Sequence, residues 1–284
     1  MRKLRKIRQI CFVAALGALG ASNARAQDED AASAVKIHAF VSQGAIKSTD
    51  NNYLTSSRRG AVDFTEVGIN FNANLSPQLR VGAQLFAHDL GPIGNYTPSF
   101  DWYKLDSSFR DWLGLKAGRT KLPFGLYNDS ADIDAARVPI LLPQSIYPAD
   151  HRDYLLAQTG AELYGSARIG PVGQLEYRAY GGTLDLKAPA SPTPGITVSG
   201  LEVPYVYGGR LWWSTPIEGL SAAGSYQALR FDWKYDVAPP LIAPLQMAGL
   251  LPAGFTGQLP VQFRVKLWVA SLEYQWENLL LSAE

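Results

Sequence analysis

Charged residues of both signs cluster between residues 119 and 157, a segment that lacks the alternation of a β-strand. Fixed charges of opposite sign around a narrow passage create a transverse field, which orders water and sorts solutes by charge and dipole. Such a passage needs no nucleophile. The candidates for lining a constriction of this kind are Arg119, Lys121, Asp129, Asp132, Asp134, Arg137 and Arg152. The alternative is that these charges are solvated, or that they tie the segment to a wall through ion pairs.

The same segment contains four prolines, Pro123, Pro139, Pro143 and Pro148. A connection this long is uncommon in a compact domain unless the connection is itself a functional element. We therefore interpret residues 119–157 as a long loop that folds inward and narrows a channel.

Alternating sequences on both sides of this loop predict β-strands, and residues 61–75 show the clearest pattern. Val67, Ile69 and Phe71 share one face, whereas Glu66 and Asn70 lie on the other. An apolar soluble core would not face a continuous polar row. In a transmembrane barrel, the apolar positions contact lipid and the polar positions face a water-filled lumen.

The same rule applied to the other strands predicts a polar inner wall. Its candidate residues are Glu66, Asn70, Asn72, Arg80, Gln84, Lys116, Glu162, Arg168, Glu176, Arg178 and Arg210. In the strand predicted over 261–276, the rule directs Phe263, Val265, Leu267 and Val269 outward and Gln262, Arg264 and Lys266 inward. We also predict that a loop occupies residues 184–202 and a second loop 234–260.

The connections between predicted strands alternate in length, with short turns after even-numbered strands and long polar loops after odd-numbered strands. Outer-membrane barrels have this arrangement of short periplasmic turns and long external loops. The fold class predicted is all-β, an antiparallel transmembrane β-barrel, of which about 10–11 strands are present. The alternative is a soluble β-sandwich or solenoid.

The first 26 residues predict a signal peptide. Five basic residues precede the apolar run 10–19, and Ala24-Arg25-Ala26 forms a small-x-small cleavage site. Removal of residues 1–26 takes away six of the 26 basic residues and none of the 25 acidic ones. The remaining chain, 27–284, is acidic and has no cysteine, because Cys11 lies in the signal. Nucleic acid is therefore an improbable partner.

Other chemistries find little support in the sequence. The three histidines, His38, His88 and His151, have no common spacing, and Asp132-x-Asp134 lacks the remaining pattern of a calcium loop. No nucleophile elbow, P-loop or dinucleotide fingerprint occurs. We expect neither an enzyme nor a cofactor or metal. The aromatic residues best explained as a membrane-interface girdle, rather than as a surface for stacking sugars, are Trp102, Tyr205, Tyr207, Trp213 and Trp276.

Several runs resemble porins of Gram-negative bacteria that are distantly similar to the phosphate-selective porin O and P type. They are residues 114–128, 132–137 and 140–147, with shorter runs at 40–44 and 64–71. The resemblance implies an outer-membrane channel of about sixteen to eighteen strands when complete, and usually a homotrimer. In known trimeric porins the third external loop forms the constriction, which is the place of the 119–157 loop here.

The resemblance does not imply phosphate selectivity, because the lysine-rich ladder of that type has no counterpart here. Closure of such a barrel would need on the order of 400 residues, and we therefore interpret the chain as a C-terminally truncated member. The function expected is passive diffusion of small hydrophilic solutes or ions across the outer membrane. The alternative is a non-channel outer-membrane barrel that acts as an adhesin or structural protein.

Overall fold

Eleven β-strands form one antiparallel sheet in which each strand pairs with its neighbours in the chain. The computed structural model describes residues 35–91, 94–131, 141–147, 157–186, 188–189 and 193–284. The predicted signal peptide, 1–26, lies outside these residues. No described helix is long and apolar enough to cross a membrane.

The strands are β1 (Lys36–Ile46), β2 (Ala61–Asn74), β3 (Leu79–Asp89), β4 (Ser99–Arg110), β5 (Leu113–Lys121), β6 (Ala157–Arg168), β7 (Gln174–Leu184), β8 (Ile196–Ser214), β9 (Leu220–Val237), β10 (Gln258–Trp276) and β11 (Leu279–Ala283). Among the described residues, an α-helix, α1 (Pro239–Met247), lies between β9 and β10. Single 3-10 turns occur at Ser57–Arg59, Asn128–Ser130 and Gly170–Val172.

The register places the polar residues of successive strands on one face of the sheet. Glu66 pairs with His88, and Asn70 pairs with Gln84. Lys116 of β5 pairs with Glu162 of β6. Every second side chain of a strand points to the same face of the sheet, and paired residues on neighbouring strands lie side by side. These residues therefore lie on one face of the sheet. We call it the loop face, because the described parts of the connection between β5 and β6, residues 122–131 and 141–147, lie on it. We call these parts the inward segment, and we call the opposite side of the sheet the outer face.

Away from the 238–257 connection, the outer face is apolar and exposed. Leu163 of β6 keeps 47% of its surface and Leu211 of β8 keeps 55%. Val41, Leu115 and Leu272 are exposed in the same way. Soluble monomers rarely present so extended an apolar surface to water. The alternation predicted for strands β2, β3, β6 and β7 is therefore present in the structure, with apolar side chains on the face away from the loop.

In strand β10, the prediction of the faces is wrong. Phe263 stacks on Phe231, with ring centroids 5.0 Å apart, and Phe231 is buried together with Leu122 on the loop face. Ser271 and Glu273, which share the parity of Phe263, also contact groups on that face. Phe263, Val265, Leu267 and Val269 therefore lie on the loop face, while Gln262, Arg264 and Lys266 lie on the outer face.

Strands β8 to β10 reverse their polarity along their length, which explains the error. Toward the 238–257 connection, their loop-face residues form an apolar cluster that includes Val203, Val206, Leu229 and Phe231. The outer face beside this cluster carries charged residues. Alternation alone does not say which face is inside, because the apolar face changes sides within a single strand.

Three further predictions need correction. Strand β8 begins at Ile196, within the predicted 184–202 loop. Helix α1 lies within the predicted 234–260 loop, and β9 extends to Val237. Trp102 is not part of an outer girdle, because its indole Nε1 donates to Gln84 Oε1 on the loop face at 2.9 Å.

Candidate constriction site on the loop face

The inward segment, residues 122–131 and 141–147, docks on the loop face through its apolar side chains. Leu126, Tyr127, Leu142 and Tyr147 are buried together with Ala223 of β9. Leu122 is fully buried in the neighbouring cluster formed by β7, β8 and β9. Burial of these side chains supplies the non-directional part of the docking energy.

Hydrogen bonds fix the position of the segment on the sheet. The Gly125 amide donates to Ser225 Oγ at 3.1 Å, and Arg210 Nη1 donates to the Gly125 carbonyl at 3.0 Å. The Leu126 amide donates to Glu284 Oε1 at 2.7 Å. Both backbone groups of Gly125 therefore find partners on the wall, as buried backbone groups require.

The sheet curves around this segment. Lys121 Nζ lies 3.8 Å from Asp101 Oδ2 of β4, and the Tyr127 hydroxyl donates to Glu273 Oε2 of β10 at 3.3 Å. Lys121 Nζ also donates to the Asp129 carbonyl at 3.1 Å, so Tyr127 and Asp129, which are two positions apart, link β10 to β4. In a flat sheet, strands six places apart are separated by about 29 Å. The sheet therefore curves around the segment, which lies on its concave side.

Two arginines meet on the wall beneath the segment. Arg178 of β7 and Arg210 of β8 are directly opposite in the register, and both point to the loop face. Like charges directly opposite on adjacent strands are destabilising unless an anion compensates them. Most of each side chain is shielded from water, which weakens solvent screening.

Asp129 supplies the compensating charge from the segment. Arg178 Nη1 donates to Asp129 Oδ1 at 2.7 Å and to Oδ2 at 2.6 Å, and Arg210 Nη2 lies 3.1 Å from Oδ2. Burial raises the pKa of the Asp129 carboxyl, but Arg178 and Arg210 together outweigh burial. Its pKa therefore lies below the ordinary value of 3.8, and the carboxylate stays charged at neutral pH.

Glu162 holds the other side of Arg178. Arg178 Nε donates to Glu162 Oε1 at 2.8 Å and Nη2 donates to Oε2 at 2.7 Å, which is the bidentate geometry that guanidinium groups favour. Lys116 Nζ also donates to Glu162 Oε1, at 2.8 Å. The five charged residues Lys116, Asp129, Glu162, Arg178 and Arg210 form what we call the anchor cluster.

The polar band continues beyond the anchor cluster toward β3. Tyr164, whose ring lies 4.4 Å from Lys116 Nζ, donates its hydroxyl to Asp106 Oδ1 at 2.6 Å. Arg80 Nη2 donates to Asp106 Oδ2 at 3.1 Å. Sequence reasoning missed Asp106 and Tyr164. The alternation of β4 could have identified Asp106, because Asp106 lies two positions after Lys104 and therefore shares its face.

The two basic candidates at the end of β5 behave differently. Lys121 reaches the loop face, where Nζ donates to the Asp129 carbonyl at 3.1 Å and approaches Asp101. Arg119 Nε donates to the Asp101 carbonyl at 3.0 Å. Both basic residues have the parity of the outer residues Leu115 and Ala117, but Lys121 is the last residue of β5 and its side chain extends to the loop face. The structure therefore brings Lys121 to the anchor cluster and leaves Arg119 outside it.

The remaining candidates fall into two groups. Asp132, Asp134, Arg137 and Arg152 lie outside the described residues. By register, the wall candidates on the loop face away from the anchor cluster are Glu66, Asn70, Asn72, Gln84, Arg168 and Glu176. Gln84 is fully buried and its Nε2 donates to Asp101 Oδ2 at 3.1 Å. The wall is thus polar well beyond the region that the segment covers.

Tyr147 secures the segment from its other end. Its hydroxyl donates to Glu284 and accepts a hydrogen bond from the Tyr127 amide at 3.0 Å. Burial, reinforced by Glu284, raises the pKa of Tyr147 above its ordinary value, so the hydroxyl remains a donor. Gly125 lies in the left-handed region with φ of 62°, and a Cβ there would stand 2.1 Å from the Tyr147 hydroxyl oxygen.

The arrangement can impose a fixed field on whatever passes beside the segment. Its charges are held by hydrogen bonds rather than solvated individually, so the field is preorganised. Within the described ranges, no group of three His, Cys, Asp or Glu residues could hold a metal ion.

Comparison with known proteins gives limited information. No protein-family model matches the chain, and no curated protein matches it. Among solved structures, the chain is similar to the outer membrane channel DcaP of Acinetobacter baumannii, at 13% identity and a TM-score of 0.38, over 89% of this chain and 62% of that one. The chain therefore spans less than two thirds of DcaP.

The chain is also similar to OmpT, an outer membrane protein of Vibrio cholerae. The loop L8 deletion mutant of OmpT aligns at 9% identity with a TM-score of 0.38, over 86% of this chain and 89% of that one. OmpT folded in vitro aligns at 9% identity with a TM-score of 0.31, over 91% of this chain and 86% of that one. At these values, the similarity identifies neither a family nor a solute.

Proposed function

We propose that this chain belongs to a transmembrane β-barrel of a Gram-negative outer membrane, and that the barrel is a porin-like channel for passive diffusion of small hydrophilic solutes or ions. Residues 1–26 would direct its export. The inward segment would narrow the passage, and no catalytic step is involved. Like the porins that the sequence resembles, the full protein would assemble as a homotrimer.

One observation carries this proposal: the inward segment is anchored by charged groups on the concave, polar face of a sheet whose convex face is largely apolar and exposed. A soluble β-protein would bury its apolar face. In a bilayer, the apolar face contacts lipid and the polar face encloses water. The anchor cluster then sets the charge beside the passage.

On the outer face, an aromatic row and a further tryptophan are separated by about the height of a membrane. On the outer face, Tyr207, Tyr226 and Trp268 lie side by side, with ring centroids 6.4 and 4.2 Å apart. Trp276 lies eight positions further along β10, about 27 Å at 3.3–3.4 Å per residue. The apolar band of outer-membrane barrels is about 25 Å tall and is bordered by aromatic girdles, although strand tilt shortens the projected distance.

Planar-bilayer recording of the purified full-length protein tests the proposal. Stepwise conductance increments and solute-dependent swelling of liposomes are expected. Bilayers that stay silent, together with liposomes that do not swell, would overturn the channel function. If such a protein also bound a partner through its external loops, the adhesin or structural alternative would replace it.

A further inference from the structure

The outer face of β9 and β10 carries a basic patch directly beside the aromatic row of Tyr207, Tyr226 and Trp268. Lys266 is the next outer-face residue after Trp268 on β10, and Arg264 follows it. Both side chains are exposed. None of the ion pairs between described residues includes Arg264 or Lys266.

Arg264 lies opposite another arginine. In the register of β9 and β10, Arg264 pairs with Arg230, and both side chains are on the outer face. Like charges at directly opposite positions are destabilising. Arg230 is already paired with Asp232 on its own strand, so that carboxylate is committed to one of the two arginines.

The surrounding outer-face charges do not neutralise the patch. Lys234 Nζ pairs with Glu202 Oε1 at 2.9 Å, which accounts for both of those residues. Asp236 lies further from the aromatic row, at the far end of the pairing with β10. Arg264 and Lys266, the two outer-face residues of β10 next to Trp268, therefore make no ion pair with another described residue.

We propose that Arg264 and Lys266, with Arg230 beside them, bind a phosphate group of an outer-leaflet glycolipid headgroup. A phosphate placed between Arg230 and Arg264 would relieve their repulsion and accept charge-assisted hydrogen bonds from both. This inference rests on the membrane location in the proposed function, but it does not depend on the conduction of solutes.

The depth of the patch fits the headgroup layer. Outer-face residues on one strand are about 6.8 Å apart, so Lys266 and Arg264 lie about 7 and 14 Å along the strand from Trp268. Strand tilt reduces the heights to about 5 and 10 Å. Headgroups occupy about 5–7 Å beyond the hydrocarbon on each side, which long basic side chains reach easily.

The test is a lipid-binding titration on the full-length protein in detergent micelles. Diphosphoryl lipid A and the same lipid without phosphates are compared as probes, with bound lipid counted by native mass spectrometry. The wild-type protein is expected to prefer the phosphorylated lipid. The double variant Arg264→Gln/Lys266→Gln is expected to lose about fivefold in affinity per cation removed, because each surface cation contributes a similar attraction to an anionic membrane.

The matched control is Arg58→Gln/Arg59→Gln, which removes the same charge from two exposed residues in the connection between β1 and β2. This variant is expected to bind phosphorylated lipid A as the wild type does. Equal affinity of the Arg264/Lys266 variant and the wild type would overturn the inference, as would equal loss in both double variants.

Two additional measurements, competition by inorganic phosphate and conductance of the double variant, distinguish failure of this inference from failure of the channel function. If inorganic phosphate competes at concentrations similar to those of the lipid phosphates, the site recognises a free anion rather than a lipid, and the proposal is wrong. Conductance recorded on the same double variant is expected to be that of the wild type. A silent wild type with intact lipid binding would refute the channel alone and leave this inference standing.

Discussion

Asp129 and Arg178 form an ion pair that joins the inward segment to strand β7, with Nη1 at 2.7 and 2.6 Å from the two carboxylate oxygens. Forty-nine positions separate the two residues in the chain. Without Asp129, Arg178 and Arg210 would face each other as uncompensated like charges. The pair therefore gives the segment a specific docking position.

Substitution Asp129→Asn is expected to lower the free energy of unfolding by about 1–3 kcal/mol. This range is that for loss of a partner from partly buried polar groups, and water reaches the Asp129 side chain, which is 37% exposed. Anion preference in bilayer recordings should rise, because two arginines lose their counter-charge. Exposed Asp185, in the β7–β8 connection, provides the control Asp185→Asn, for which both measurements should match the wild type.

The pH dependence of the docking follows from the lowered pKa of Asp129. A carboxyl whose folded-state pKa lies below its unfolded value stabilises the fold fully above that unfolded value, near 3.8. The stabilisation is lost as the pH falls through the lower, folded value. Limited proteolysis of residues 122–147 should therefore accelerate below about pH 4. In Asp129→Asn, this acid-dependent step should be absent; its persistence would assign the transition to another group.

Arg178 supports two carboxylates, so its replacement should cost more than that of Asp129. Arg178→Gln removes the forked contacts to Glu162, a side chain fully shielded from water. The free energy of unfolding is expected to fall by about 3–5 kcal/mol, the range for breaking a buried ion pair. The lower end of this range is expected, because Lys116 still donates to Glu162. Arg178→Lys should recover only part of this loss, since an ammonium cannot reproduce the bidentate contact to Glu162 together with the contact to Asp129. Urea unfolding in detergent measures both; full recovery with Lys would contradict the geometric account.

Gly125 is expected to tolerate no side chain. Gly125→Ala adds the cost of a left-handed backbone and places Cβ 2.1 Å from the Tyr147 hydroxyl oxygen. Gly249→Ala is a matched control, because Gly249 has φ of 72° and a Cβ added there would meet nothing within 4 Å. The free energy of unfolding should fall by about 1 kcal/mol in the control. It should fall clearly more in Gly125→Ala, in the same thermal-unfolding measurement. Equal losses would show that Tyr147 does not constrain the segment.

The sequence predicts much of this fold, because period-two alternation is a local signal. In β2 and β3, each polar residue of the wall can be assigned from its neighbours two positions away. In β10 the same rule fails, because the apolar residues on one side of the aromatic row lie on the loop face and those on the other side lie on the outer face. The start of β8 was hidden by a composition rich in glycine, proline and serine, which resembles that of a loop.

The candidate site is predictable only in part. Asp129, Arg178 and Arg210 can be chosen as charged candidates, but their contact depends on register and on docking across distant parts of the chain. Asp101 reaches the loop face through a register shift between β3 and β4, which alternation does not reveal. Long-range pairing of this kind has no local sequence signal.

Single-cysteine accessibility along β2 tests the central claim most directly. The single cysteine of the sequence, Cys11, lies in the predicted signal peptide, so residues 27–284 offer a cysteine-free background. In bilayers, a charged water-soluble thiol reagent should modify Asn70→Cys and Asn72→Cys but spare Val67→Cys, Ile69→Cys and Phe71→Cys. Unfolding in denaturant should make all five react. Modification of the three apolar positions in intact bilayers, with the two asparagine positions protected, would contradict a lipid-facing outer face and a water-filled interior.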